Sequence, residues 1–166
     1  MPKPITFAVL VILIAFGGFY WWKSQDPQVV NHKVDQLIEV LEYRKLSLDN
    51  REERHEKMRE VMADQISFEG SAPVPTGEIT IDELLEKLDL LQSFATRVDV
   101  IESERIVNID GDSAKVTVLW DIDAAVGKQF KTRETWTLIF DLEKGPDWRI
   151  YQIKALSQKP SAAARF

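Results

Sequence analysis

The sequence contains no cysteine and only two histidines, so the residues that most often carry covalent or metal chemistry are nearly missing. Without thiols the chain can form no disulfide, no thiolate nucleophile and no cysteine-ligated metal site. Glycine-rich phosphate-binding loops and the short motifs of hydrolases and metalloproteases are absent as well. We therefore expect no cofactor and no metal ion, and we favour a non-enzymatic role.

The chain also lacks an excess of basic residues. It has 21 Lys and Arg against 27 Asp and Glu, a net charge of −6 and a pI of about 5.0. Such a protein has no electrostatic attraction to phosphate backbones, which argues against a nucleic-acid partner. At 166 residues, 45% hydrophobic and 29% charged, it has the length and composition of one folded domain plus an appendage.

Charge is missing altogether from the N-terminal segment, residues 5–22. A helix of about 20 apolar residues spans a hydrocarbon core of about 30 Å. The run ends in Tyr20, Trp21, Trp22 and Lys23, side chains that favour the membrane–water interface. The pattern predicts a transmembrane anchor over residues 5–23, which follows a short tail formed by residues 1–4.

A cleavable signal peptide is the alternative, because Lys3 precedes the apolar run and residues 15–17 resemble a cleavage site. We favour a retained signal anchor, since the apolar run continues past Gly17 into the aromatic cluster. The short N-terminal tail and the large domain that follows predict a single-pass protein with its bulk outside the cytoplasm. In a bacterium this location is the periplasmic side of the inner membrane.

The rest of the chain begins with three segments of helical periodicity. The first begins at Asp26, the second runs from Asp49 to Gln65, and the third runs from Thr80 to about Phe94. Capping residues mark these starts, including a capping box at the third. A loop is predicted at residues 70–78, and the third helix carries an apolar stripe of Ile81, Leu84, Leu85, Leu88 and Leu91.

After residue 96 the period changes to two, which is typical of strands. Strands are predicted at residues 97–108, 115–123, 130–141 and 148–156, with a bulge near Ile101 and Glu102. Consecutive strands joined by short turns form an antiparallel meander, and helices followed by a sheet indicate an α+β fold. We expect a single domain over residues 26–156 and a C-terminal tail at residues 157–166.

The order of these elements resembles the nuclear transport factor 2-like (NTF2-like) superfamily, which includes ketosteroid isomerases and SnoaL-type proteins. The resemblance covers roughly residues 28–156, and it rests on the segments at residues 62–70, 108–120, 135–141 and 147–156. It implies a cone, in which a strongly curved antiparallel sheet wraps around three helices and leaves a pocket at the open end.

The resemblance also locates the catalytic positions of the isomerases. Gly70 stands where those enzymes have their general base, with Glu69 beside it, and Trp136 stands near their second carboxylate. Their proton-donating tyrosine belongs to the first helix, whose inward positions here are Leu37, Ile38 and Leu41. Proton transfer needs a base and a donor within hydrogen-bond reach. The resemblance therefore predicts no isomerase-type catalysis.

Four residues remain as pocket candidates: Asp64, Trp120, Glu134 and Trp136. Glu134 either points into the cone or faces outward, where it could pair with Arg105 across the strands. The tryptophans either line a ligand pocket or belong to the core, and core packing is the commoner role.

Three further ionisable residues are favoured as surface groups. Asp121 and Asp123 share one strand face and lack a third metal ligand, and His55 lies among charged residues.

Two functions fit the sequence. The favoured one is a membrane-anchored interaction module that serves as an accessory or assembly subunit of a larger membrane protein complex. Its expected partners are the lipid bilayer, other membrane protein subunits and a second copy bound through the sheet face. The alternative is a membrane-tethered small-molecule binder, or an isomerase- or lyase-like enzyme, that uses the cone pocket.

Overall fold

The computed structural model describes residues 25–44, 51–70, 76–128 and 130–158. In chain order the elements are α1 (residues 25–41), β1 (Tyr43–Arg44), α2 (Arg51–Val61), β2 (Met62–Gly70), β3 (Gly77–Thr80), α3 (Ile81–Phe94), β4 (Arg97–Asp110), β5 (Ser113–Val126), β6 (Phe130–Lys144) and β7 (Trp148–Gln158). Within these ranges no helix is long and apolar enough to cross a bilayer. The predicted anchor at residues 5–23, with Tyr20, Trp21, Trp22 and Lys23, lies outside the described residues.

The strands form one seven-stranded sheet in the order β1-β4-β5-β6-β7-β2-β3. The predicted meander is confirmed, because β4 to β7 pair antiparallel with their sequence neighbours. The prediction of a purely antiparallel sheet is wrong, since β2 pairs parallel with β7. These two strands are far apart in the chain, so no hairpin constrains their relative direction, and the long connection that a parallel pair needs is available.

Helix α1 lies across the concave face of the sheet and supplies much of the core. Its residues Val30, Val34, Leu37 and Val40 recur every three or four positions and are almost completely buried. They belong to one apolar cluster with side chains of α2, α3 and the strands, including Trp120, Met58, Phe140, Leu142, Trp148 and Ile150. Burial of this stripe, at about 25 cal/mol per Å² of apolar surface, holds the helical layer on the sheet.

Several helix and strand boundaries differ from the predicted ones. Helix α2 ends at Val61 rather than Gln65, and β2 begins at Met62, because this segment pairs with β3 and β7. The segment predicted as a loop contributes strand β3 at its end. The capping box of α3 is confirmed: Thr80 Oγ1 accepts from the Glu83 amide at 3.3 Å, and the Glu83 carboxylate accepts from the Thr80 amide at 3.0 Å.

A polar network around Arg105 fastens α1 to β4 beside the predicted bulge, which is observed between Glu102 and Glu104. The guanidinium donates to both carboxylate oxygens of Glu102, to the backbone and side-chain oxygens of Asn31, and to Asp35. Burial lowers the pKa of Arg105, but the hydrogen bonds that it donates to the carboxylates of Asp35 and Glu102 outweigh that effect and raise it. Glu102 also accepts a bond of 2.9 Å from Trp120 Nε1. The bulge thus places one carboxylate between the core tryptophan and the helix.

Replacement of Arg105 tests this network. We expect Arg105→Ala to lower the free energy of unfolding by about 2–4 kcal/mol, because it leaves the half-buried Glu102 carboxylate without its cation. Arg133→Ala is the matched control, since Arg133 forms an exposed ion pair with Asp121 and should cost about 0–1 kcal/mol. Urea unfolding of the full chain, followed by tryptophan fluorescence, measures both. Equal losses in the two variants would contradict the role assigned to Arg105.

Candidate functional site

The interior of the cone is filled with side chains. Trp120 is 1% exposed, and its ring lies 5.4 Å from that of Phe140. Trp148 is equally buried in the same cluster, beneath the stripe of α1. The polar atom of Trp120 is already satisfied by Glu102. Among the described residues no group of three or more histidines and carboxylates is placed to hold a metal ion.

Glu134 and Trp136 lie on β6, where the strand passes beyond the densest part of the core. Trp136 is buried and stands opposite Trp120 in the β5–β6 pairing. Glu134 is exposed, and its carboxylate accepts a bond of 3.1 Å from Trp136 Nε1. Arg105, proposed as a partner of Glu134, is bound elsewhere. The structure therefore brings the two tryptophans and Glu134 together, with Glu134 at the surface.

Asp64 lies on β2, which β7 separates from β6 in the sheet, and it lines a different feature. An open cleft of about 530 Å³ lies where the ends of β2, β3, α2 and α3 meet β7, lined by Arg59, Asp64, Gln65, Thr80, Ile81, Asp82 and Arg149. Its volume is within the range of ligand pockets, roughly 300–1,000 Å³. Its charges are paired, Arg59 with Asp82 at 2.7 Å and Arg149 with Asp64 at 3.6 Å. The side chain of Asp64 is 93% exposed, so the cleft is wet rather than enclosed.

His55 and Asp89 form a histidine–carboxylate contact between α2 and α3. His55 Nε2 lies 2.9 Å from Asp89 Oδ1, and Arg51 binds the other carboxylate oxygen. Burial raises the pKa of Asp89, but the hydrogen bonds from His55 and Arg51 outweigh it and hold the pKa below its usual value. A carboxylate held in this way acts as an ionic tie between two helices.

The convex face of the sheet carries an apolar area that we name the outer sheet patch. It consists of Ile106, Thr117, Leu119, Thr137, Ile139 and Leu156, which face outward on the four adjacent strands β4 to β7. Ile106 and Leu156 are 48% and 52% exposed, and a shallow depression of about 90 Å³ lies over the β4, β5 and β6 members. Isolated exposed apolar residues are ordinary, whereas a contiguous patch marks an interaction surface.

Charged residues border the outer sheet patch toward the β5–β6 turn. Asp121 accepts from Arg133 and from Thr135, and Asp123 accepts from Arg97. The hydrogen bond from Thr135 is the main reason that the pKa of Asp121 is lowered. These aspartates, considered above as metal ligands, are therefore part of an ion-pair network on the surface.

The beginning of α1 is fixed to the β6–β7 hairpin by two ion pairs. Asp26 accepts from Lys144 Nζ at 2.8 Å and from Trp148 Nε1 at 3.2 Å, and the Lys144 bond is the main cause of its lowered pKa. Two turns further along, the buried amine of Lys33 binds Asp147. Helix α1 therefore begins at the end of the cone formed by this hairpin, which we call the near end.

Sequence reasoning missed an apolar surface on α3. Leu91 was assigned to the buried stripe of this helix, but it is 58% exposed, and Leu90 and Phe94 are 60% and 65% exposed. The available signal was Leu90, which does not fit the i, i+3, i+4 spacing of the stripe formed by the other apolar residues of this helix.

Comparison with known proteins identifies the fold. No protein-family profile and no curated protein matches the sequence, whereas many solved structures match the coordinates. An NTF2-like protein of Cytophaga hutchinsonii aligns with a TM-score of 0.60 and 13% identity over 80% of this chain and 98% of its own. An NTF2-like superfamily protein of Salmonella enterica aligns with a TM-score of 0.65 and 10% identity over 87% and 99%.

A third similar structure, from Streptomyces avermitilis, is described as a proposed dehydratase of the NTF2-like family. It aligns with a TM-score of 0.63 and 14% identity over 83% of this chain and 99% of its own. At such identities the likeness concerns the fold alone. The chain has an NTF2-like α+β fold with three helices on a curved sheet, as the sequence predicted.

The ion pair between Asp26 and Lys144 at the near end makes the free energy of unfolding depend on pH. The pKa of Asp26 is lower in the folded chain than the ordinary value of about 3.9, so its contribution is present above about pH 4 and is lost as the pH falls through the folded pKa. We expect Asp26→Asn to cost about 1–2 kcal/mol at pH 7 and progressively less below pH 4. Urea unfolding at several pH values measures this difference.

The exposed Glu143, next to Lys144 on β6, supplies the control, because Glu143→Gln removes a surface carboxylate from the same hairpin. A difference between wild type and Asp26→Asn that does not change between pH 7 and pH 3 would contradict the assignment.

Proposed function

We propose that this protein is a membrane-anchored, non-enzymatic interaction module and serves as an accessory or assembly subunit of a larger membrane protein complex. The observation that carries this proposal is the distribution of apolar side chains. The concave interior is filled and its buried tryptophan is hydrogen-bonded, whereas the convex face bears the outer sheet patch. Among the described residues the concave face is packed with apolar side chains, and a domain that also has an uncovered apolar face is suited to binding proteins.

The anchor rests on residues 5–23, in which residues 5–22 carry no charge and the run ends in Tyr20, Trp21, Trp22 and Lys23. The position of α1 supports it, because the near-end ion pairs of Asp26 and Lys33 fix where the anchor would join the domain. The domain would then stand on the outer side of the bilayer with the near end toward the lipid. Helix α1, about 25 Å long at 1.5 Å per residue, would lead away from it.

The outer sheet patch supports two kinds of contact, with a second copy and with another subunit. Exposed strands of mixed apolar and threonine character give flat surfaces that pack face to face at about 10 Å. The surrounding charges, including Glu104, Lys115 and Lys154, would form a polar rim around such a contact.

A membrane-tethered small-molecule binder, or an isomerase- or lyase-like enzyme, is the second candidate. The cleft at Asp64 favours it, because about 530 Å³ would hold a small ligand, and a similar structure is described as a proposed dehydratase. Against it, the arginines of the cleft are already paired with aspartates, so an anionic ligand would have to displace Asp64 or Asp82.

Membrane retention tests the anchor. We expect the full chain to remain in the membrane fraction after an alkaline carbonate wash. Such a wash disrupts electrostatic contacts at the membrane surface, but it does not release an apolar helix that spans the lipid. A variant that begins at residue 24 should be recovered in the soluble fraction. Release of the full chain by the wash, or a mature N-terminus after Gly17, would contradict the proposal.

Native mass tests the outer sheet patch. After extraction in mild detergent, we expect the protein to have the mass of a dimer or of a complex with other chains. Ile106→Lys together with Leu156→Lys should reduce it to the single 19.1 kDa chain, because two buried lysines without partners oppose association. Val126→Lys, at an exposed apolar position of the β5–β6 turn, is the control. A wild-type protein that is a lone 19.1 kDa monomer would count against the subunit role.

A further inference from the structure

Helix α3 has a second apolar face that nothing in the described chain covers. Its buried face holds Leu85 and Gln92, and Leu90 lies about 160° from Gln92 around the helix axis. Leu91 and Phe94 are three residues apart on one side of the same outward surface, and all three apolar side chains are more than half exposed. A helix that is apolar on opposite sides is one that a partner normally buries.

This face continues into a groove. Leu84, two turns before Leu91, lines an apolar groove of about 270 Å³ between α3 and the β2–β3 pair, together with Phe68, Thr76, Gly77, Glu78, Ile79 and Lys87. We use the name α3 groove for this groove and the adjoining helix surface formed by Leu84, Leu90, Leu91 and Phe94. From Leu84 to Phe94 it extends about 15 Å along the helix, a length matched by about three turns of a second helix.

The charges beside the α3 groove are mainly acidic. Glu83 and Glu86 lie on the exposed side of α3, and Glu78 lies on β3 at the opposite border. Glu78 and Glu86 have no ion-pair partner among the described residues, and Lys87 is the cation at the groove. An apolar channel whose surrounding charges are three glutamates and one lysine is complementary to a helix with one apolar face and Lys or Arg at its edges.

We propose that the α3 groove binds a basic amphipathic helix of a partner protein, with apolar side chains of that helix against Leu84, Leu91 and Phe94. The inference rests on the proposed interaction role and adds to it a second docking surface with a defined chemistry. The strand order separates it from the outer sheet patch: the groove adjoins β2 and the edge strand β3, and the patch covers β4 to β7.

The acidic borders also argue against other occupants. A second copy would bring an α3 with the same glutamates, so a two-fold α3 pair would place like charges side by side, which is unfavourable. An anionic lipid surface would be repelled for the same reason. In addition, α3 points away from the near end, because Thr96, just beyond it, hydrogen-bonds Ala125 and Gly127 at the β5–β6 turn.

A peptide titration tests the proposal with the full chain in phosphatidylcholine nanodiscs. The probe is a fluorescent 18-residue peptide of Leu and Lys with the leucines on one helical face, and binding is measured by anisotropy after subtraction of empty nanodiscs. We expect binding at least about tenfold tighter than that of a scrambled peptide of the same composition. Leu91→Ser with Phe94→Ser should weaken it about tenfold, and Glu78→Lys with Glu86→Lys should weaken it as well.

The matched control is Ile106→Ser with Leu156→Ser, which removes equally exposed side chains from the outer sheet patch and should leave peptide binding unchanged. Absence of binding, equal binding of the scrambled peptide, or equal effects of the two double variants would overturn the proposal. So would a dimer that dissociates only in Leu91→Ser with Phe94→Ser, since the occupant would then be a second copy. Membrane retention and native mass are measured separately, so failure of the subunit role is distinguishable from failure of this site.

Discussion

The fit of α1 into the curved sheet is the contact on which the rest of this structure depends. Val30, Val34, Leu37 and Val40 fill the concave face, and the core cluster continues from them through Trp120 to the other helices and strands. Register shifts in β4 and β7, at Glu102–Glu104 and opposite Asp141–Leu142, add the local bend that lets the sheet surround the helix. This packing fills the described part of the concave face with apolar side chains.

On the outside, the apolar surface is divided between two layers. The outer sheet patch belongs to the convex face, and the α3 groove belongs to the helical layer and the β2–β3 edge. The start of α1, which Asp26 and Lys33 fix at the near end, lies apart from both surfaces. The proposed membrane contact and the two proposed protein contacts would therefore not overlap. In the proposed role of a subunit that connects others, each of these surfaces would bind a different partner.

Much of the fold could be predicted because its signals are local. The Thr80–Glu83 capping box and the β4 bulge depend on neighbouring residues, and both are observed. The end of α2 was wrong because Met62 and Ile66, four residues apart, share a face in a helix and in a strand alike. The β2–β7 pairing could not be found, since the hydrogen bonds that define β2 come from a strand about 90 residues later in the chain.

The site was harder to predict because strand alternation indicates a face but not what covers it. Glu134 and Trp136 share one face of β6, yet Trp136 is buried and Glu134 is exposed. Strand β6, Phe130–Lys144, is about 50 Å long at 3.3 Å per residue, roughly twice the length of α1. In this part of β6 the alternation continues, but the side chain of Glu134 reaches the surface and accepts a bond from Trp136 Nε1. Leu91 is a second example. Helical periodicity placed it in the apolar stripe of α3, but no described part of the chain covers that side of the helix, and Leu91 is 58% exposed.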